Sequence, residues 1–383
     1  MSLAAGIACY HVWTLQKSQG IFFLLVCRKT GPDVIFISCF LYDKQGNGVF
    51  MSDAVDTSPT VPLLRVDNLS VCFETEKGSV DVVRSVSFQV EKGQTFCLVG
   101  ESGCGKSMTS FALLGLVPEP GKVKADSISL DGRELTGLSE AAMNTVRGRQ
   151  IGMIFQEPMT ALNPVIRVGD QVAEPLIQHL HLSRRDALKK AEKLFAMVGI
   201  PAPERRLRDF PHQMSGGMRQ RVMIAMALSC RPRLLLADEP TTALDVTIQG
   251  QILALLRELS FSQGMGLLLI THDLGVVAET ADKVGVMYAG SIVEQAPVNA
   301  IFANPLHPYT KGLMRSAPTP TLSPTQRLEA IPGTVPPPGA LPEGCPFRPR
   351  CNRAHDRCLT EPPLVHLEEN GLAREVRCWL AAE

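Results

Sequence analysis

An α/β fold built on a parallel sheet is what this sequence predicts, and three observations predict it. The apolar run Phe96 to Val99 leads straight into Gly100-Glu101-Ser102-Gly103-Cys104-Gly105-Lys106-Ser107, which matches G-x-x-x-x-G-K-S between a strand and a helix. The short apolar run Leu234-Leu235-Leu236-Ala237 reads as a buried parallel strand and ends in Asp238-Glu239. Apolar Leu267 to Ile270 forms a further strand that closes on His272. Ligands of such sheets bind at the carboxyl ends of the strands, so the two acids face whatever the glycine loop holds.

The glycine loop predicts a nucleoside triphosphate. Its glycines let backbone N–H groups converge on phosphate oxygens, Lys106 reaches the β and γ phosphates, and the Ser107 hydroxyl can ligate Mg²⁺. A helix starting near Lys106 adds the positive end of its dipole. Asp238 is expected to hold Mg²⁺, and Glu239 beside it to orient or deprotonate the attacking water.

The remaining elements follow in order. Residues 63 to 107 read as alternating and apolar strands with a turn at Glu91-Lys92-Gly93, an antiparallel part followed by the first core strand. From Glu157 to about Leu228 the chain is rich in Leu, Ala, Arg and Lys at helical spacing, as in Arg184 to Val198, which predicts an inserted helical subdomain. Lys283 to Tyr288 is a further strand. Beyond Gly290 prolines concentrate, and Pro318 to Pro349 reads as irregular.

The segment Met214-Ser215-Gly216-Gly217-Met218-Arg219-Gln220-Arg221 resembles the signature sequence of ABC-transporter ATPases. The resemblance extends in order to Gln156 after the strand Ile151 to Phe155, to Ala243-Leu244-Asp245, and to His272 in Ile270-Thr271-His272-Asp273. It covers about Leu63 to Glu294. Met214 and Met218 stand where Leu and Gln are commoner, and both changes leave the Ser-Gly-Gly amides in place.

That resemblance implies an ABC-type P-loop ATPase: a RecA-like core, an antiparallel β subdomain, an inserted helical subdomain and, here, a small C-terminal extension. Small residues at a helix N-terminus let amides approach a γ-phosphate held by another subunit. Ser215, Gly216 and Gly217 are therefore expected to close over ATP bound by a partner ATPase. Gln156 is expected to sense Mg²⁺ and the water, His272 to touch the γ-phosphate, and Asp245 to couple the two sites. Phe73 is the candidate to stack on adenine, with Phe88 as its competitor and a core role as the alternative for both.

A narrower resemblance lies in Asn304-Pro305-Leu306-His307-Pro308-Tyr309-Thr310-Lys311-Gly312-Leu313, in Phe155 to Pro164 and in Pro211-His212-Gln213-Met214. These are similar to the ATPase subunits of oligopeptide and dipeptide importers, nearest to the D-type dipeptide subunits, with nickel and glutathione importer ATPases as near relatives. The family implies a second, different ATPase subunit, two membrane permeases and, through them, an extracytoplasmic peptide-binding protein. It also implies a peripheral position on the cytoplasmic face of the inner membrane.

Composition agrees. With 383 residues, 45% of them hydrophobic, the chain can bury a large core and carry appendages. Its 38 basic and 38 acidic residues cancel, which leaves no nucleic-acid footprint; Arg205, Arg206 and Arg208 read as a solvated or permease-facing surface. The competing class is a soluble ABC ATPase acting on nucleic acid or ribosomes, but such proteins typically add coiled coils, zinc insertions or a second cassette, and this chain has one cassette and no sustained heptads. The longest apolar runs, Ile21 to Cys27 and Val34 to Leu41, fall far short of the about 20 residues that span a bilayer.

Three regions result. Residues 1–60 read as an N-terminal extension, disordered or arising from a start assigned too early, with Met51-Ser52-Asp53 as the expected start; a secretory signal or a lipoprotein box at Leu24 to Cys27 lacks the early basic cluster and the small cleavage residue. Residues 61–293 read as the nucleotide-binding domain, with its helical subdomain at about 157–230. Residues 294–383 form the extension.

Cys72, Cys97 and Cys230 sit in apolar runs as small core residues, whereas Cys345, Cys351, Cys358 and Cys378 lie in a Pro- and Arg-rich tail with little to make a core. Their separations of 5, 6 and 19 residues are wider than those of common zinc knuckles. Resemblance to importer ATPases, some of which carry one, implies a four-iron four-sulfur cluster on these four thiolates; structural zinc and unliganded thiols stay open.

Overall fold

A computed structural model describes residues 11–18, 21–29, 34–42, 48–56, 61–76, 78–241, 246–317, 330–369 and 371–382. The chain divides into two units, 1–61 and 62–383. In the first, the strands His11–Ser18, Ile21–Lys29, Val34–Tyr42 and Gly48–Asp56 pair consecutively in an antiparallel sheet.

The second unit is organised by an eight-stranded sheet. Five parallel strands come first, in the order Ile151–Ile154, Leu234–Asp238, Gly266–Thr271, Thr95–Val99 and Lys283–Tyr288. These runs are almost continuously apolar because both faces are covered. Alternation of side chains shows how: Cys97, Val99, Leu235 and Ala237 enter one apolar cluster, while Phe96, Leu98, Leu234 and Leu236 enter the other.

On the second face lies an antiparallel sheet of Leu64–Thr75, Gly78–Val90, Gly121–Lys124, Ser127–Leu130 and Arg133–Glu134. Phe88 stacks on Phe96 across this interface at 5.0 Å and 24°. On the first face the helices Val168–Leu180, Arg184–Met197 and Gly216–Ala227 pack through Val172, Phe195 and Met223. Ser183 caps the second of them by accepting the Asp186 N–H at 3.2 Å. The helical subdomain expected from spacing is thus present as a layer on the core sheet. Among the described residues no helix is long and apolar enough to cross a membrane.

The tail does more than its composition suggests. Strand Ser291–Pro297 continues the central sheet in antiparallel sense, and the hairpin Val365–Glu369 with Leu372–Val376 joins it through the pairs Glu294 with Val376 and Gln295 with Glu375. A buried ion pair fastens this join: Arg374 Nη2 donates to Glu294 Oε1 at 3.0 Å, with the side chains 1% and 0% exposed. The same carboxylate accepts the backbone N–H groups of Leu306 and His307 at 2.8 and 2.9 Å. Burial pushes the His307 imidazole down to about 3, so its neutral Nδ1 accepts the Tyr309 N–H at 3.0 Å and caps the helix Pro308–Ser316. The His-Pro-Tyr run is therefore a helix start that is pinned to the sheet.

Candidate active site

The parallel strands deliver their carboxyl ends to one edge. Val99 leads into the glycine loop, Ile154 into Gln156, Asp238 into Glu239 and Thr271 into His272. A cavity of about 620 Å³ opens there, lined among others by Gly100, Ser102, Gln156, Glu239 and His272.

The loop has no room for larger residues at two positions. A Cβ on Gly100 would lie 2.2 Å from the Met287 carbonyl oxygen. Gly105 has φ of +103°, and a Cβ there would lie 2.8 Å from the Val82 oxygen. The helix Lys106–Leu113 starts immediately after it with no side-chain cap, so its first N–H groups are free to meet an anion. Lys106 is 5% exposed, and its Nζ donates to the carbonyls of Gly100 at 2.8 Å and Glu101 at 3.0 Å. Its ammonium is thus stored inside the loop.

Opposite, the Ser107 hydroxyl donates to Asp238 Oδ1 at 3.0 Å. Burial pushes the Asp238 carboxyl up, the Ser107 bond works against it, and the neighbouring Glu239 charge adds to the rise. A carboxylate in that position favours a cation. The Ser107 hydroxyl, the Asp238 carboxylate and the Gln156 amide oxygen are hard oxygen donors, a set that fits Mg²⁺.

Glu239 is held from two sides. Its Oε2 accepts Gln156 Nε2–H at 3.1 Å and its Oε1 lies 3.0 Å from His272 Nδ1. Its backbone is left-handed, with φ of 45°, a conformation that costs a non-glycine residue about 1 kcal/mol or more. The Glu239 N–H donates to the Ile270 carbonyl at 2.9 Å, which ties this bend to the neighbouring strand. Two residues, 83 and 33 positions from Glu239, therefore meet at its one carboxylate.

The signature residues stand apart from this cavity. Ser215 caps the helix Gly216–Ala227 by accepting the Met218 N–H at 3.3 Å, and Ser215 and Gly216 are exposed. A Cβ on Gly216 would meet nothing within 4 Å, and one on Gly217 would reach only Ile248 at 3.5 Å. Among the described residues, nothing therefore crowds either glycine.

Of the aromatic candidates, Phe88 is 3% exposed and belongs to the core, while Phe73 is half-buried on the strand Leu64–Thr75, packed against the second apolar cluster. Asp245 lies outside the described residues.

The four tail cysteines are brought together around a pocket of about 10 Å³. All are free thiols. Burial pushes Cys345 up to about 11 and raises Cys351 and Cys378, with the neighbouring cysteines adding to each rise. Arg353 N–H points to the Cys351 sulfur at 3.4 Å. The donor set is that of a Cys₄ site, yet among the described residues no group of three or more His, Cys, Asp or Glu stands at metal-binding spacing.

Two residues to which the sequence reading gave no role at the site touch the loop. Arg350 pairs with Glu101, and the Tyr309 hydroxyl accepts the Glu101 N–H at 3.0 Å. Tyr309 sits in the His-Pro-Tyr run, but no spacing rule links it to a loop 208 residues away.

Comparison with known proteins gives two family matches: ABC transporter over residues 83–242, and oligopeptide/dipeptide transporter, C-terminal region, over residues 293–358. The oligopeptide transport ATP-binding protein AppD of Bacillus subtilis is 49% identical over 322 residues, which cover 84% of this chain and 97% of that protein. The dipeptide transport ATP-binding protein DppD of the same organism is 49% identical over 319 residues, covering 83% and 94%. Among solved structures, the ATP-binding cassette MJ0796, a dimer in a post-hydrolysis state bound to ADP and Pi, matches with a TM-score of 0.56 at 25% identity, over 61% of this chain and 98% of that one.

Proposed function

Since this chain belongs to the ABC-transporter ATP-binding proteins that carry the oligopeptide/dipeptide transporter C-terminal region, we propose that it hydrolyses ATP to drive peptide import through partner permeases. The single observation that carries the chemistry is Glu239, held between Gln156 and His272 at the edge where Lys106 and Asp238 also end.

In this reading Lys106 leaves the Gly100 and Glu101 carbonyls for the β and γ phosphates, and the amides of Glu101 to Ser107 cradle them. Ser107, Asp238 and Gln156 would hold Mg²⁺, which when bound would supply positive charge against the phosphates. Glu239 takes the proton of the attacking water, and His272, 61% exposed, contacts the γ-phosphate while steadying the carboxylate. Ser215, Gly216 and Gly217 serve the ATP of a partner ATPase, a reading supported by the open space that the described residues leave around Gly216. Asp245 couples the paired sites, and Phe73 stacks on adenine. Residues 61–293 then form the nucleotide-binding domain, 294–383 the importer extension, and the subunit sits peripherally at the cytoplasmic membrane face beneath two permeases fed by a binding protein.

Peptide as the cargo is favoured over nickel or glutathione by relatives whose names specify oligopeptides and dipeptides. The test is ATP hydrolysis by the complex co-purified from membranes, with and without its binding protein loaded with dipeptide. Stimulation by the loaded protein is expected; hydrolysis indifferent to peptide, or co-purification with nucleic acid instead of permeases, would reject the reading.

At the tail, Cys345, Cys351, Cys358 and Cys378 supply the donors for a four-iron four-sulfur cluster, to which no step of hydrolysis is assigned. Binding it requires the thiols to rearrange from their present placement and lose their protons. Anaerobically purified protein is expected to be brown, with about four irons per chain. Stoichiometric zinc would keep the site and replace the cluster, and metal content unchanged in Cys351→Ser would sink the assignment.

A further inference from the structure

The tail reaches back to the phosphate loop. Arg350, one residue before Cys351, donates from Nη1 to Glu101 Oε2 at 2.6 Å and from Nη2 to Glu101 Oε1 at 2.9 Å. Two parallel charge-assisted bonds of this kind fix direction as well as distance. The Arg350 side chain is 4% exposed and that of Glu101 30%. Its Nε donates to the Pro332 carbonyl at 2.8 Å, and its guanidinium carbon lies 5.8 Å from the Tyr288 ring centre, so the fork is held on every side.

A second strut acts on the same residue. The Glu101 N–H donates to the Tyr309 hydroxyl, and Tyr309 is locked by Tyr288 at 4.7 Å and Phe347 at 5.4 Å. Backbone and side chain of one loop residue are thus both held by the region 288–350. The Glu101 carbonyl in turn accepts from Lys106 Nζ.

Glu101 poses a problem for an ATP site, because a carboxylate inside a phosphate-binding loop repels the phosphates. Arg350 answers that problem: its guanidinium pairs with both carboxylate oxygens and fixes them along one fork. We infer that Arg350 is a positioning residue of the ATP site, which neutralises Glu101 and orients the loop for phosphate binding from the C-terminal tail. The inference rests on the ATP-hydrolysis reading above.

The experiment uses the whole transporter and compares the ATP KM and kcat of wild type, Arg350→Ala, Arg350→Lys and Arg350→Ala with Glu101→Gln. Arg350→Ala is expected to raise KM about tenfold, since it strands a charge beside the phosphates, while kcat stays within about threefold. Adding Glu101→Gln is expected to recover most of that loss, because the stranded charge is gone. Arg350→Lys should fall between, as a point charge cannot form the fork. A double variant with KM as high as Arg350→Ala, or Arg350→Ala with the wild-type KM, overturns the inference: a role only in folding the tail gives no rescue of the ATP KM by removing the loop carboxylate. If Arg350→Ala does not fold, Arg350→Lys with and without Glu101→Gln makes the same comparison. A wild-type complex without ATPase activity is a separate failure, that of the hydrolysis reading.

Discussion

Glu239→Gln is expected to leave ATP binding intact and to lower steady-state hydrolysis by about 10²-fold or more, the usual scale for loss of a general base. The substitution keeps the shape, so the left-handed bend and the N–H bond to Ile270 persist. What changes is the ability to accept a proton. The amide can still bond Gln156 or His272 through its oxygen, but its NH₂ end must face one of them as a donor, which also weakens the three-residue cluster. Hydrolysis by the reconstituted transporter, measured beside equilibrium nucleotide binding, separates the two effects. Turnover near that of wild type would remove Glu239 from the catalytic role, and the base would have to be sought elsewhere at the strand edge.

Lys106→Ala produces the opposite split, a loss in binding itself. Its ammonium is the cation that faces the β and γ phosphates, and charge-assisted bonds contribute about 1.5–3 kcal/mol each, so the ATP Kd is expected to rise roughly ten- to hundredfold. The fold tolerates the change less well than an exposed lysine would, because the Gly100 and Glu101 carbonyls lose their donor. Titration of a fluorescent ATP analogue against wild type and variant gives the answer, with a thermal melt to verify folding. A Kd within twofold of wild type would take Lys106 out of phosphate contact. The two substitutions together locate the division of labour: one residue holds the nucleotide, the other acts on the water.

Legibility differed sharply across the chain. The loop Gly100 to Ser107 could be read because its chemistry is contiguous, with glycines, lysine and serine at fixed offsets on a single turn between strand and helix. The core strands could be read because burial on both faces leaves an unbroken apolar run, and Leu234 to Ala237 sends alternate residues into both clusters. The tail was harder. Val365–Glu369 and Leu372–Val376 mix apolar and polar residues, with half of their positions exposed and no apolar run to betray a strand, so their pairing onto Ser291–Pro297 shows only in three dimensions. As a letter Phe88 competed with the candidate Phe73; its stacking on Phe96 assigns Phe88 to the core.

By itself the sequence determined which residues are the candidates for the chemistry, since phosphate cradling, metal ligation and proton transfer each need particular side chains at short, local spacing. It determined the α/β class for the same reason, because strand and helix periods are local properties. Only the tertiary structure decided which of those residues meet. Gln156 and His272 converge on Glu239 from two other strand ends, and Arg350 crosses 249 positions to neutralise Glu101. Such meetings depend on the order in which strands enter the sheet and on where the tail docks, and these are set by the summed burial of the whole core, which no short window of sequence contains.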